Sequence, residues 1–320
     1  MRVGVVATSS PVGLVELDRG LGFLRQLGFE PVVHPLTRTR DFLFAGGDEA
    51  RAQAILDMAR DASIEAVWCA RGGYGGGRLV PLLNRDVPAG KLLIGYSDIT
   101  VLHEFVRSRW NWSTLHAVMP ASNLQDVEPA ALRATADLVM RRRPELAYEQ
   151  QPLEVVHAPP GPITGQVIGG NLSLVHTLAG TRLQFDPRDK ILFLEDISEK
   201  VYAIDRYVVQ MEQAGMFDGL SAIVLGDFTS CEDESNTMLD PAGGNDAVGK
   251  PKRVPLRPTF ELDHALREIF GRVTSPRGIP LYRKMPVGHG PNYWPLPLGA
   301  RARIDETGHF TLQEWSWLRS

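Results

Sequence analysis

Apolar and polar positions along the first 140 residues follow two rhythms. Short apolar, β-branched runs at Val3–Ala7, Pro31–His34, Ala66–Ala70 and Leu92–Tyr96 read as strands. Between them, Ala52, Ile55, Leu56 and Met58 recur at the spacing of one helix face within Gly47–Asp61. Ile99, Leu102, Phe105 and Val106 do the same directly after the fourth strand. Such alternation predicts an α/β fold with a parallel sheet flanked by helices, and ligand chemistry gathers beyond the carboxyl ends of its strands. A helix through Ala130–Met140 ends in Arg141, Arg142 and Arg143 ahead of Pro144. Those cations face the negative end of the helix dipole and need no ligand to explain them.

The pattern then breaks. Residues 144–162 are polar and proline-rich and read as a linker between a domain of residues 1–143 and a second of residues 163–320. The second block carries Gly165–Gly169, a strand at Ile191–Leu194, a helix at Lys200–Gln213 and a strand at Ala222–Gly226. From Ser230 to Arg253 the chain is rich in Gly and Asp without apolar periodicity. That length of unpatterned sequence predicts a functional or mobile loop.

Composition narrows the function classes. In 320 residues, 34 Lys+Arg stand against 38 Asp+Glu, a net charge of −4. No cationic excess points to nucleic acid or an anionic membrane as partner. The two cysteines, Cys69 and Cys231, are too few for a disulfide scaffold or a multi-cysteine metal site. Cys69 lies within an apolar strand, where a thiol behaves as a small hydrophobe. The first strand is too short for the apolar core of a signal peptide, and no apolar run approaches a membrane span. A cytoplasmic protein without metal or cofactor is the expectation.

Two turns follow the third and fourth strands. Arg71-Gly72-Gly73-Tyr74-Gly75-Gly76-Gly77-Arg78 leaves backbone N–H groups unscreened and able to converge on an anion, or it simply makes a turn. Gly95-Tyr96-Ser97-Asp98-Ile99 puts Ser97 at a strand-to-helix bend, the place of a nucleophile elbow, with the Asp98 amide opening the next helix. A helix N-cap at Ser97 or Asp98 explains the same residues. A serine nucleophile needs a base. Of the eight histidines, His289 stands apart, held between glycines in Gly288-His289-Gly290 after a strand, although a solvated turn histidine fits as well. Glu195 ends an apolar strand where a carboxylate reaches a cleft, either to orient an imidazole or as an ordinary strand-end charge. Asp196 is expected on the opposite face.

Taken together, Arg71–Gly75 (RGGYG), Gly95–Thr100 (GYSDIT), Gly169–Leu172 with Gly180-Thr181, Leu192–Glu195 (LFLE), Tyr202–Arg206 (YAIDR) and Gly288–Leu298 (GHGPNYWPLPL) resemble the LD-carboxypeptidase family of serine peptidases. The resemblance runs in order along nearly the whole chain. It implies an N-terminal flavodoxin-like domain and a C-terminal α/β, swivelling β-barrel-like domain. It further implies Ser97 as nucleophile, His289 as general base and Glu195 as its orienting carboxylate. The amides of Asp98 and of Gly72 or Gly73 would form the oxyanion hole. The implied substrate is a murein tetrapeptide cleaved before its terminal D-alanine, or a peptidyl-nucleotide conjugate, which Trp112, Tyr293 or Trp294 would stack upon. A non-catalytic anion-binding module is the rival from another class. Arg71, Arg78 and Tyr74 are candidate substrate contacts. Arg206 with Asp205 is expected to brace the cleft, and a homodimer is the implied assembly. Two departures from the family pattern stand out: the Ser230–Arg253 insertion, and Ala117-Val118-Met119-Pro120 after His116 where a His-Gly-Pro is common.

Overall fold

The computed structural model describes residues 1–122, 124, 127–232, 237–255, 261–290 and 293–319. The first half alternates β1 (Arg2–Val6), α1 (Leu14–Gln26), β2 (Glu30–Val33), α2 (Asp48–Arg60), β3 (Ala66–Cys69), β4 (Leu92–Gly95), α3 (Thr100–Arg109), β5 (Ser113–His116) and α4 (Pro129–Val139). Its strands lie parallel in the order β2-β1-β3-β4-β5, the flavodoxin-like order. All four residues of β3 and of β4 are buried, which is why both read as unbroken apolar runs rather than as alternating strands. Helix α1 buries Leu17, Leu21 and Leu24 against one face; α2 and α3 pack Ile55, Met58, Leu102 and Phe105 against the other.

The second half contains α5 (Ala147–Gln150), β6 (Glu154–His157), β7 (Ile163–Asn171), α6 (Leu172–His176), β8 (Lys190–Ile197), α7 (Val201–Gln213), β9 (Ala222–Thr229), β10 (Thr237–Leu239), β11 (Arg253–Pro255) and α8 (Leu262–Thr274). It finishes with β12 (Leu281–Arg283), β13 (Leu296–Leu298), β14 (Arg301–Ile304) and β15 (Phe310–Glu314). A mixed seven-stranded sheet runs β15-β14-β7-β8-β9-β12-β6, parallel from β7 to β12 and antiparallel at both flanks.

Three features differ from the reading of the sequence. The proline-rich 144–162 stretch is no bare linker: it forms α5, and β6 pairs with β12 as the edge of the second sheet. The two sheets also share chain. Strand β13 returns to pair antiparallel with β5 at the edge of the first sheet, so the C-terminal half lends one strand to the sheet of the N-terminal half. Pro297 is compatible with that place because an edge strand can spare an N–H. Within Ser230–Arg253, β10 and β11 pair as an antiparallel ribbon joined by an exposed turn, while residues 233–236 of that segment lie outside the described residues.

Candidate active site

Three carboxyl ends of the first sheet converge. After β1 come Thr8, Ser9 and Ser10; after β3 the glycine turn; after β4 the bend Tyr96–Asp98. Ser97 takes a left-handed φ of 62° and opens a short 3-10 turn, Ser97–Ile99, that runs into α3. A non-glycine residue held there is strained by about 1–3 kcal/mol, the hallmark of a nucleophile elbow. The neighbours hold it. The buried Asp98 carboxylate accepts from Ser9 Oγ at 2.5 Å and from the Gly76 amide at 2.6 Å, stapling the elbow to both adjacent turns. Burial pushes Asp98 above the usual carboxylate range, against those two hydrogen bonds. Asp98 is therefore an anchor through its side chain, a role the helix N-cap reading did not contain.

The glycine turn is built for close approach. A Cβ on Gly72 would stand 3.0 Å from Ser97 Cβ and 3.2 Å from its Oγ. The turn is pinned by the Ser10 amide donating to the Gly72 carbonyl at 3.3 Å, and by Ser10 Oγ accepting from the Tyr74 amide at 3.2 Å. Buried Arg51 donates to the carbonyls of Gly46, Thr8 and Gly75 from beneath. Arg71 is exposed on the same turn, with one guanidinium nitrogen donating to the Pro11 carbonyl at 3.0 Å. Tyr74 is 56% exposed at the rim, its ring 5.7 Å from Phe44. Arg78, half exposed, is engaged with Asp48, its Nε and Nη2 donating to Asp48 Oδ2 at 2.9 and 2.6 Å.

The second sheet supplies the other pair. Along β8, Ile191 and Phe193 pack into one core and Leu192 and Leu194 into the other, and the next two residues continue the alternation. Glu195 is fully buried, and its Oε2 accepts from His289 Nδ1 at 2.7 Å. Asp196, on the α6 side, accepts from Asn171 Nδ2 and from the Ser173 and Ile197 amides, each at 2.8 Å. Gly288, at φ +139°, lets the 288–290 loop lie against the Glu195 side chain, since a Cβ there would come 3.0 Å from Glu195 Oε2. Burial draws His289 down, but the Glu195 charge and hydrogen bond, with Asp196 and Asp227, outweigh it and set the imidazole above its ordinary value. The Nδ1–H directed at Glu195 leaves Nε2 as the basic nitrogen.

The halves meet at Tyr96, whose ring centroid lies 4.7 Å from that of His289 and 5.9 Å from that of Tyr293. The imidazole therefore packs against the residue preceding Ser97 in the chain. Thr100, one turn into the Ser97 helix, accepts the Asn171 amide at 3.1 Å through Oγ1, tying α3 to the end of β7. Tyr293 is at the site; Trp112, whose Nε1 donates to the Pro88 carbonyl at 2.8 Å, packs with Trp110 away from it. Asp205 pairs with Arg272 on α8 at 3.1 Å, and Arg206 lies over Tyr202 and Tyr207, so the pair does not brace the cleft. Burial pushes the Cys69 thiol up to about 12, which excludes a thiolate near neutrality. Reading the sequence missed Ser9, Ser10, Tyr96, Asn171 and Asp227. All lie near or just past the carboxyl end of a strand, and Tyr96 and Asn171 also fall within the quoted motifs without a role being read for them.

No group of three or more His, Cys, Asp or Glu able to hold a metal occurs among the described residues. No described helix is long and apolar enough to cross a membrane.

A two-domain α/β framework with a serine elbow on one sheet and a carboxylate–imidazole pair on the other defines a class, the serine-type hydrolases. Models of the LD-carboxypeptidase N-terminal and C-terminal domains match residues 3–117 and 164–304. A probable murein peptide carboxypeptidase of Bacillus subtilis is 30% identical over 309 residues, 95% of this chain and 88% of its own. The microcin self-immunity protein MccF of Escherichia coli is 24% identical over 335 residues, 95% of this chain and 90% of its own. The crystal structure of muramoyltetrapeptide carboxypeptidase from Oxalobacter formigenes superposes with a TM-score of 0.71 at 24% identity, covering 97% of each chain. The chain belongs to the LD-carboxypeptidase family and is a serine-type carboxypeptidase.

Proposed function

We propose that the protein hydrolyses the L,D peptide bond before the terminal D-alanine of a murein tetrapeptide by an acyl-enzyme route. The observation that carries this reading is the 2.7 Å Glu195–His289 bond beside the strained Ser97 elbow. His289 Nε2 takes the Ser97 proton as Oγ attacks the carbonyl, and Glu195 stabilises the imidazolium and fixes its tautomer. The oxyanion forms against the amides of Asp98 and of Gly72 or Gly73, each such donor being worth about 3 kcal/mol. His289 returns the proton to the leaving D-alanine amine, and water repeats the sequence on the ester. No cofactor enters these steps. The free carboxylate that marks a carboxypeptidase substrate would meet Arg71 in a charge-assisted hydrogen bond, with Tyr74 at the rim.

The test is product analysis by mass spectrometry after incubation with a murein tetrapeptide and, separately, with an aminoacyl-nucleotide conjugate. Release of D-alanine from the first alone is expected. Ser97→Ala and His289→Ala should each lower turnover by about 10⁴- to 10⁶-fold with the fold intact; retained turnover in either variant sinks the triad. Cleavage of the conjugate alone would instead favour the second reading, which draws on one observation, the Tyr293 ring 5.9 Å from Tyr96. The resemblance carries with it a cytoplasmic homodimer, and sedimentation velocity of the purified chain reads the assembly directly.

A further inference from the structure

The His289 loop rests on two acidic strands, not one. Strand β9 runs beside β8, and its backbone holds the loop at two points. The Asp227 amide donates to the Val287 carbonyl at 3.0 Å, and the Met285 amide to the Leu225 carbonyl at 3.2 Å. The Asp227 side chain fills the space beneath the two glycines that flank the histidine. A Cβ on Gly290 would lie 2.2 Å from Asp227 Oδ2, and one on Gly288 would lie 3.2 Å from Asp227 Cβ. Oδ2 is shielded from solvent and has no partner in hydrogen-bonding geometry among the described residues, while the Gly290 amide beside it favours the charged carboxylate. An ionisable oxygen in that position is costly unless a nearby charge compensates it.

Among the described residues, the groups that bear on His289 are few. They are Glu195 and Asp196 on β8, Asp227 on β9, the Tyr96 phenol, Tyr293 on its own segment, and buried His116 on β5. Of these, Glu195 is hydrogen-bonded to the imidazole, and Asp196 is occupied by Asn171, Ser173 and Ile197 on the opposite face. Glu195 Oε1 and Asp227 Oδ2 both lack a hydrogen-bond partner among the described residues, and Asp227 is the one of the two whose backbone also supports the loop.

We propose that Asp227 is a positioning residue for His289, a second carboxylate that seats the 288–290 loop and adds its charge to that of Glu195 in stabilising the imidazolium. The inference rests on the assignment of His289 as the general base. It also separates two functions. Glu195 fixes the ring tautomer by a hydrogen bond, while Asp227 acts through charge and through the shape of the loop. Burial and the Glu195 charge push Asp227 up to about 6, so its ionisation falls in the range where His289 must change charge.

The test uses the full-length chain and reads His289 directly by ¹H–¹⁵N correlation of the imidazole nitrogens across pH. Asp227→Asn retains an oxygen but removes the charge, and should lower the His289 midpoint by about half a pH unit or more. The acid limb of kcat/KM on the peptide substrate should move by the same amount. Asp227→Glu should restore the midpoint towards that of the parent. A midpoint unmoved in Asp227→Asn overturns the proposal. Should Asp227→Asn fail to fold, Asp227→Glu decides alone: a parental midpoint with lowered kcat supports a charged, shape-dependent seat, and unchanged midpoint and kcat with altered stability alone overturn it. Because the imidazole titration needs no turnover, it remains readable even if Ser97→Ala shows the triad to be wrong.

Discussion

A histidine that acts as a base must be neutral in the resting enzyme and stable as a cation once it has taken a proton. Burial alone would make the His289 cation costly; the Glu195 bond, with Asp196 and Asp227, more than reverses that. The sign follows. Activity is lost as pH falls through the raised midpoint, so the acid limb should lie above the roughly 6.5 of a free imidazole. Glu195→Gln removes the largest opposing charge and should carry that limb to lower pH while cutting kcat by about 10²- to 10⁴-fold, since the amide can also present the wrong group to Nδ1. A pH–rate profile of both proteins checks this, and an acid limb that stays in place would exclude Glu195 as the partner. Asp196 and Asp227, pushed up to about 7 and about 6 chiefly by burial, titrate in the same window. The limb should therefore be broader than a single ionisation. At this scale Ser97, Glu195 and His289 stood out in the sequence as candidates, Ser97 at a strand-to-helix bend, Glu195 at the end of an apolar run and His289 between two glycines. Asp227 did not, because nothing in its local sequence reveals which loop folds over it.

Elements carry the relation between the nucleophile and its partners. Helix α3 begins at the elbow, and β7 ends at Asn171, whose amide donates to Thr100 Oγ1. Asn171 in turn caps α6 through its Oδ1 and reaches Asp196 through Nδ2, so one chain of contacts runs from the Ser97 helix to the strand bearing Glu195. Thr100→Val keeps the shape and leaves the buried Asn171 amide without an acceptor. A loss of about 1–3 kcal/mol by urea denaturation is expected. A fall in kcat of about tenfold should accompany it, because sub-ångström alignment of the two halves is disturbed. Unchanged stability and kcat would show that the junction does not position the site. In the first half, the strands β1, β3 and β4 and the amphipathic helix α2 were plain from apolar spacing. Strand β5 was not: Ser-Thr-Leu-His carries three polar side chains, and only burial between β4 and β13 explains its place.

For the whole molecule, the return of β13 to the first sheet decides how the halves are coupled. Leu296 is fully buried where β13 pairs with β5. Nearby, Tyr148 OH donates to the Pro295 carbonyl at 2.9 Å, and Trp317 Nε1 donates to the Leu138 carbonyl at 3.0 Å. The C-terminal segment thus closes the N-terminal core. Leu296→Ala should cost about 2–5 kcal/mol. Because the lost packing belongs to both halves, calorimetry should give one transition at lower temperature rather than a second peak. Two separated transitions would mean that the halves unfold independently.

The order of apolar runs and glycine turns was sufficient, by itself, to determine the α/β class and the parallel first sheet, and it marked as candidates the three side chains to which the family resemblance gives the proposed chemistry. Periodicity and turn chemistry are local and survive in a linear reading. The pairing of β13 with β5, the incorporation of 144–162 into the second sheet, the commitment of Arg78 to Asp48 and the seat of Asp227 beneath the His289 loop were decided by tertiary structure alone. Each joins residues separated by tens to more than a hundred positions, and only burial and hydrogen-bond satisfaction in the folded chain select one partner over the others.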